Sequence, residues 1–300
     1  MNILVIDVGG TFIKSAVMNE RAEILRRGEK ISTPLTGRAD FFKTIAALYN
    51  PAEVEGIAMS LPGIIDADNG LCITSGALRY NDGCNVVEEL QKITGAKVTI
   101  ENDAKCAALA EAKLGALADV ADGFVMIFGT SIGGAFIKNH ELHKGKHNLA
   151  GEVCFSVVGD KTFHDLGNVP DLLKGYAQIK NLSTENMSGE KFFQAVAENE
   201  NDAVVCLNKF ARHIANQIFN IQVIVDPEKI AIGGGISAQE SFISAIRANL
   251  EKVYQNCLFD LPHLEIVPCK FRNDANLIGA LLRHFFLKKE TPSKEKQPAG

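Results

Sequence analysis

The feature that most constrains the fold is an arrangement that occurs twice, in which two short apolar runs flank a glycine-containing turn. Residues 2–8 (NILVIDV) and 12–18 (FIKSAVM) flank Gly9-Gly10, and residues 124–128 and 135–138 flank the segment GTSIGG at 129–134. Short runs rich in β-branched and other apolar residues predict buried strands, so each arrangement predicts a β-hairpin. Two hairpins of the same design in one chain indicate an internal duplication.

The rest of the chain alternates between strand and helix patterns. Apolar runs predict strands at 24–29, 54–59, 98–101, 229–232 and 264–268. Helical spacing predicts helices at 41–48, 86–94, 104–114, 203–224, within 236–250, and at 274–286. A length of 300 residues accommodates two small domains. We place residues 1–113 and 274–287 in an N-terminal domain and residues 114–273 in a C-terminal domain, and we expect a disordered polar tail at 288–300.

Composition excludes several classes of protein. The net charge of −5 gives no basic surface of the kind that binds nucleic acid. The seven cysteines are odd in number and form no CxxC pair, which argues against a disulfide framework and against a zinc cluster, and fits a reducing cytoplasm. No apolar run approaches the roughly 20 residues of a membrane span, and a strand that starts at residue 2 leaves no room for a signal peptide.

The first glycine turn is a candidate phosphate-binding loop. Gly9 and Gly10 let a phosphate approach the backbone closely and tolerate positive φ, while Thr11 and Lys14 add a hydroxyl donor and a charge. An acidic residue before such a loop repels phosphate directly, so Asp7 is expected to interact with Mg²⁺ through water. The alternative is an ordinary hairpin turn with no ligand.

For two further glycine segments, a turn that binds no ligand is again the alternative. The segment at 129–134 has the design of the first turn and predicts a second phosphate loop, with a plain hairpin as the alternative. The segment IGGGIS at 232–237 follows a strand and suits contact with a flat base and ribose, although a tight strand-to-helix turn explains it equally well. It does not match the dinucleotide-binding GxGxxG pattern.

Two carboxylates are candidates for contact with an acceptor substrate. Asp103 follows a predicted strand, where a carboxylate accepts a proton from an attacking hydroxyl. Its alternative is a helix N-cap, a role that Asn102 could also fill. Glu152 follows small residues in the segment AGE and could accept hydrogen bonds from sugar hydroxyls, with a solvated surface residue as the alternative.

In this order, the segments resemble those of the ROK family of bacterial sugar kinases and repressors, within the actin-like ATPase superfamily. The resemblance runs from residue 3 to about 286 and rests on the two glycine turns with END-A at 101–104, AGE at 150–152 and IGGGIS at 232–237. It implies an α/β, two-domain actin-like (ribonuclease H-like) fold with the active site in the interdomain cleft. It also implies ATP and Mg²⁺ as cofactors, and a homodimer.

The resemblance assigns roles by position. The first phosphate loop consists of Asp7, Gly9, Gly10, Thr11 and Lys14. The second consists of Gly129, Thr130, Gly133 and Gly134. Gly233, Gly234 and Gly235 line the adenosine site. Asp103 is the general base, and the sugar is contacted by Asn81, Asn102 and Glu152.

The chain departs from the family pattern beside the AGE segment. Zinc-containing members continue with a histidine that binds both zinc and sugar, where this chain has Phe155, and a cysteine cluster follows in those members but not in 156–165 here. A tetrahedral zinc site needs about four N or S ligands, so we predict no zinc. The second substrate glutamate of the family is also missing, and Asp160, His164 and Asp165 are candidate replacements.

The absence of the family's histidine and of its second glutamate, both of which contact the sugar, predicts a change in sugar specificity. An apolar Phe155 and a shorter loop leave room for a second sugar ring, as in the family's β-glucoside kinases, which phosphorylate the 6-hydroxyl of a glucose unit in a disaccharide such as cellobiose. Glucokinase, fructokinase and N-acetylmannosamine kinase activities stay open. A non-catalytic sugar sensor is an alternative of another class, and a ROK-type repressor would need a DNA-binding segment before residue 2.

Overall fold

The computed structural model describes residues 1–184 and 187–286, and these fall into two compact units. The first unit is Met1–Cys106 together with the chain from Asn276, and the second is Ala107–Ala275. The predicted boundary at residue 113 lies in the same helix as the first observed one. The predicted tail at 288–300, and residue 287, lie outside the described residues.

The first unit opens with a hairpin and then alternates strands with helices. Its elements are β1 (Asn2–Val8), β2 (Phe12–Asn19), β3 (Ile24–Arg27), β4 (Ile31–Ser32), α1 (Arg38–Ala47), β5 (Gly56–Leu61), β6 (Ile65–Asp66), β7 (Leu71–Cys72), β8 (Cys84–Asn85), α2 (Val86–Thr94), β9 (Lys97–Asn102), the start of α3 (Asp103–Leu114), and α9 (Ala275–Phe286).

The main sheet of this unit has the order β3-β2-β1-β5-β9, with β4 paired to β2. β1 and β2 form the predicted antiparallel hairpin, and β5 and β9 continue the sheet parallel to β1. All six residues of β5 are buried, as expected for a central parallel strand covered on both faces. Because parallel strands end at the same edge, the carboxyl ends of β1, β5 and β9 bring Asp7, Ser60 and the segment 101–103 to one edge of the sheet.

The second unit repeats the sheet and adds helices. Its elements are the remainder of α3, then β10 (Gly123–Phe128), β11 (Ile132–Lys138), β12 (Glu141–His143), β13 (Val157–Val158), β14 (Lys161–Thr162), α4 (Phe163–Gly167), α5 (Val169–Ile179), α6 (Gly189–Ala197), α7 (Asn201–Val225), β15 (Lys229–Gly233), α8 (Glu240–Gln255) and β16 (Glu265–Pro268).

The two sheets share one topology, which confirms the predicted duplication. The second sheet has the order β12-β11-β10-β15-β16, again an antiparallel hairpin extended by two parallel strands. Each unit has its own apolar core, and that of the second includes the aromatic rings of Phe128, Phe210 and Phe242 in mutual contact. Within the described residues, no helix has the length and apolar character that a membrane crossing requires.

The second glycine turn is shorter than the sequence predicted. Residues 129–131 form the turn, and Gly133 and Gly134 already lie in β11, paired with β10. A Cβ added at Gly134 would lie 2.3 Å from the carbonyl oxygen of Gly151, so this glycine allows the AGE segment to pack directly on the strand. The prediction that Gly133 and Gly134 belong to the turn itself is therefore wrong.

Candidate active site

The first glycine turn is held closed by backbone contacts and by one threonine. Gly9 N donates to Phe12 O at 3.0 Å, and Thr33 donates from its amide to Thr11 O at 2.9 Å and from Oγ1 to Gly9 O at 2.7 Å. Neither Gly9 nor Gly10 has a left-handed φ, so the turn makes no use of the tolerance of glycine for positive φ. The reason for glycine is space, because a Cβ at Gly9 would lie 3.1 Å from Phe12 O.

Asp7 lies beneath this turn, 7% exposed, and takes part in three polar contacts. Its Oδ1 accepts hydrogen bonds from Ser60 Oγ and from Asn276 Nδ2, each at 3.0 Å. Its Oδ2 lies 3.5 Å from Lys14 Nζ. The structure thus brings Asp7 and Lys14 together as predicted, and it adds two residues that the sequence did not single out.

Asp103 lies in the first turn of α3 and is half-buried. Its Oδ1 accepts hydrogen bonds from Ala104 N at 2.8 Å and from Asn102 Nδ2 at 2.9 Å. The amide of Lys105 donates to Asn102 Oδ1 at 3.0 Å, which is the N-cap interaction of the helix. Asn102 is therefore the cap, and capping does not account for Asp103.

Asn102 also connects Asp103 to the turn that follows β5. Its Nδ2 donates to Gly63 O at 2.8 Å, and its side chain is almost fully buried. Gly63 has a φ of +97°, and a Cβ there would lie 2.3 Å from Thr74 O, so only glycine fits this close approach. The amide nitrogen of Asn102 is thus engaged with Gly63 and Asp103 within the protein, and its contact with a sugar stays a prediction.

Asn81 lies in the loop between β7 and β8 and is 2% exposed. Its Oδ1 has no hydrogen-bond partner among the described residues. A buried amide oxygen without a partner is costly, and a ligand hydroxyl would supply the missing donor. The same loop touches the first glycine turn, since a Cβ at Gly10 would lie 3.3 Å from Ala77 Cβ.

The second glycine turn lies beside helices α4 and α5. Gly129 N donates to Ser131 O at 3.0 Å, and Val169 N, at the start of α5, donates to Gly129 O at 3.3 Å. Ser131 Oγ lies 3.3 Å from His164 Nδ1. Thr130 is exposed at the tip of the turn, where a ligand could reach it.

A cavity of about 570 Å³ opens beside this turn. Apolar side chains dominate its lining, which otherwise consists of glycine, two threonines and a lysine. The lining residues are Phe128, Gly129, Thr130, Val169, Pro170, Leu173, Lys174, Thr184, Met187, Gly235 and Ile236.

The triple glycine at 233–235 shapes the wall of this cavity. Gly234 has a φ of +93°, and a Cβ there would lie 2.0 Å from Phe128 O. A Cβ at Gly233 would lie 2.4 Å from Ile127 Cδ1, whereas none would meet an atom at Gly235. Two of the three glycines are thus required by packing, and Gly235 leaves open space for a flat group against the wall.

Glu152 lies directly after Gly151, whose φ is +89°. A Cβ at Gly151 would lie 2.7 Å from Ala135 Cα, so the segment is fixed against β11 by contact of backbone on backbone. Glu152 is half-buried and precedes a short 3₁₀ turn at Val153–Phe155. Phe155 is 61% exposed, where an apolar ring is available to a ligand.

The three candidates for the missing glutamate differ in their surroundings. Asp165 accepts hydrogen bonds from the hydroxyl and amide of Thr162 in a capping box, and these bonds hold the pKa of its carboxyl below the usual range. His164 faces Ser131 of the second glycine turn. Asp160 is exposed between β13 and β14. Both carboxylates are exposed, but Asp165 is engaged in the helix cap, whereas Asp160 lies outside that cap.

The donor set around Asp7 fits a hydrated Mg²⁺ carried by a nucleotide. Among the described residues, no group of three or more His, Cys, Asp or Glu side chains is placed to hold a metal. Mg²⁺ keeps most of its waters and is bound through one or two carboxylates and substrate phosphates rather than by a protein cage. A single buried carboxylate beside a glycine turn is therefore compatible with such an ion.

Sequence reasoning missed α5 and two of the residues around Asp7. The sequence does contain a pattern for the start of α5, because Asn168 precedes Pro170 and Asp171. In the structure, Asn168 Oδ1 accepts a hydrogen bond from Asp171 N at 2.8 Å. No local pattern marks Ser60 or Asn276, since their contact with Asp7 joins three distant parts of the chain.

Known proteins are similar to this chain in both sequence and fold. The ROK family profile matches residues 3–284. A β-glucoside kinase of Listeria monocytogenes is 30% identical over 97% of this chain and 99% of its own length. An N-acetyl-D-glucosamine kinase of Haemophilus influenzae is 29% identical over 77% of this chain and 83% of its own.

A ROK family protein of Streptococcus pneumoniae, solved in complex with sucrose, is the most informative structural comparison. It has a TM-score of 0.87 and 29% identity, with coverage of 97% of this chain and 100% of its own. The predicted actin-like ATPase fold is confirmed by this and other structural neighbours. The match over nearly the whole length, with the glycine turns and the END and AGE segments in order, shows that this chain belongs to the ROK family.

Proposed function

We propose that this protein transfers the γ-phosphoryl group of ATP to the 6-hydroxyl of a glucose unit in a β-glucoside such as cellobiose. The observation that carries the proposal is the state of Asp103, a half-buried carboxylate that the helix does not need as its cap. Its Oδ1 is fixed by Asn102 and by the amide of Ala104. A carboxylate held in this way is suited to accept a proton from a hydroxyl that attacks phosphorus.

The nucleotide half of the proposal rests on the second unit. The cavity beside Gly129 and Thr130 has an apolar lining with an open wall at Gly235, which suits an adenine ring and its ribose. The exposed tip of the turn at Thr130 suits the phosphates. The predicted roles of Gly129, Thr130 and Gly235 are therefore retained, whereas Gly134 and Gly234 act by allowing close packing.

The phosphate and sugar contacts of the first unit complete the proposal. Gly9, Gly10, Thr11 and Lys14 surround the first turn, with Asp7 beneath it as the carboxylate for the water shell of Mg²⁺. Mg²⁺ bound to ATP would neutralise charge that develops on the transferred phosphoryl group. Asn81, whose buried amide oxygen has no partner among the described residues, is the sugar contact that we propose in this unit.

The preference for a β-glucoside rests on Phe155 and on the relatives. Phe155 is largely exposed directly after Glu152, and an aromatic ring there provides an apolar surface for a second sugar ring. The relative from Listeria monocytogenes is named a β-glucoside kinase. A free N-acetylhexosamine is the second candidate acceptor, because the Haemophilus influenzae relative is named an N-acetyl-D-glucosamine kinase.

The test is a coupled ADP-release assay with Mg-ATP and a panel of acceptors. The panel contains cellobiose, gentiobiose, glucose, fructose, mannose, N-acetylglucosamine and N-acetylmannosamine. Turnover on the disaccharides that exceeds turnover on free glucose supports the proposal, and Phe155→Ala should then raise KM for cellobiose more than for glucose. Faster turnover on a free monosaccharide than on the disaccharides would overturn the β-glucoside assignment. No turnover on any acceptor would overturn the kinase assignment.

A further inference from the structure

A row of polar side chains crosses the buried sheet of the first unit. Lys14, Asp7, Ser60 and Glu101 lie on four neighbouring strands and are direct partners in register. Directly paired residues project from the same face of a sheet, so the four side chains form a continuous line. Three of the four are almost fully buried, and polar groups in such a place normally have a specific role.

Asn276, on α9, contacts this row at one atom. Asn276 Nδ2 and Ser60 Oγ both donate to Asp7 Oδ1, each over 3.0 Å. Two donors from different elements that converge on one oxygen fix the plane of the carboxylate. The other oxygen, Oδ2, is the one on the Lys14 side, 3.5 Å from Nζ.

The chemistry of the two donors matters as much as their positions. A hydroxyl and an amide orient a carboxylate without cancelling its charge, whereas an arginine in either position would form a bidentate ion pair with it. Residues that orient a ligand in this way have a strong influence on affinity, because a loosely held ligand loses entropy when the ion binds.

We infer that Ser60 and Asn276 are positioning residues that hold Asp7 for the hydrated Mg²⁺ of the bound nucleotide. The inference rests on the proposed function, because it assumes a nucleotide at the first glycine turn. The two residues act only through Asp7, and neither is assigned contact with ATP or with the sugar. Loss of one donor leaves Oδ1 with a single hydrogen bond and the carboxylate less firmly oriented, so cation-dependent binding weakens while metal-free binding stays the same.

The test measures ADP binding by calorimetry with the full chain, once with Mg²⁺ and once with a chelator, in the absence of any acceptor. Asn276→Ala and Ser60→Ala are each expected to weaken Mg-ADP binding by about three- to tenfold, which corresponds to the net contribution of one typical hydrogen bond, and to leave metal-free ADP binding unchanged. Asn273→Ala is the matched control, because Asn273 is exposed just before α9. Thermal melting verifies that each variant is folded.

A double-mutant cycle separates positioning from a general structural effect. In an Asp7→Asn background, Asn276→Ala should cause no further loss of Mg-ADP affinity, because its only route of action is gone. The inference would be overturned if Asn276→Ala lowered Mg-ADP affinity equally with and without Asp7, or if it also lowered the affinity for metal-free ADP. Either result would leave the kinase assignment intact. A wild-type protein that binds ADP equally with and without Mg²⁺ would overturn the Mg²⁺ assignment and the inference together.

Discussion

Glu111 in α3 offers the sharpest prediction about stability. It is fully buried, and its carboxylate accepts hydrogen bonds from three backbone amides. Oε2 accepts from Ala116 N at 2.8 Å and from Lys270 N at 3.0 Å, and Oε1 accepts from Phe271 N at 3.0 Å. The side chain thus ties the end of α3 to the segment that follows β16, within the second unit.

The substitution Glu111→Gln keeps the shape and changes the chemistry. The new NH₂ group replaces one of the two oxygens, so at least one backbone N–H faces a donor. A buried unsatisfied donor costs about 1–3 kcal/mol, and the remaining bonds lose their charged acceptor, for a total of about 3–5 kcal/mol. For a unit of this size, a loss of that order lowers Tm by roughly 6–20 °C.

The matched control is Glu228→Gln, which alters the same chemistry at the surface. Glu228 Oε1 accepts from the amides of Ala121 and Asp122 at 2.8 and 2.9 Å, but the residue is exposed, so water can replace the lost bonds. Calorimetric melting and urea unfolding of both variants measure the difference. Equal and small shifts for Glu111→Gln and Glu228→Gln would refute the claim that burial makes the Glu111 contacts strong.

Three further predictions follow from close approaches and from burial. Gly234→Ala should weaken ATP binding by about 5- to 150-fold, because positive φ and a clash with Phe128 O impose a strain of about 1–3 kcal/mol on the cavity wall. Equilibrium dialysis with ATP measures this change, and unchanged affinity would contradict the prediction. Gly279→Ala should lower the free energy of unfolding, measured by urea titration, by about 3 kcal/mol or more, because a Cβ there would lie 1.7 Å from Cys106 O. A loss below about 1 kcal/mol would show that α9 and α3 separate easily at this contact. Burial raises the pKa of the Cys72 thiol from 9.0 to about 12, so the unfolded chain loses this proton at lower pH than the folded chain. The free energy of unfolding should therefore fall as pH rises from 9 towards 12, and Cys72→Ala should flatten this part of the plot of unfolding free energy against pH.

The repeated hairpins could be predicted because their causes are local. Runs of β-branched residues around a glycine turn define a hairpin wherever they occur, and the shared topology of the two sheets confirms the duplication. The family and the class of ATP-dependent carbohydrate kinase were also predicted from the ordered motifs, and both are confirmed by the relatives. The assigned roles of Asp103 and Asn81 stay predictions until they are measured.

The parts that could not be predicted depend on contacts between distant residues. The packing of Gly134 on Gly151 explains a glycine that the sequence alone assigned to a turn. The contact of Asn276 with Asp7 depends on where α9 packs, which no local pattern encodes. The helix at Val169–Ile179 is a different case, because Asn168 and Pro170 mark its start locally and the sequence therefore contains the pattern that predicts it.

The most direct test of the central claim is the rate of sugar phosphorylation by Asp103→Asn, measured with saturating Mg-ATP and cellobiose and compared with wild type. Asp260→Asn, at an exposed position far along the chain from the site residues, is the control. If Asp103 is the general base, turnover falls by about 10²–10⁴-fold, while ATP affinity and melting temperature stay near the wild-type values. Turnover of Asp103→Asn within a few-fold of wild type would contradict the account.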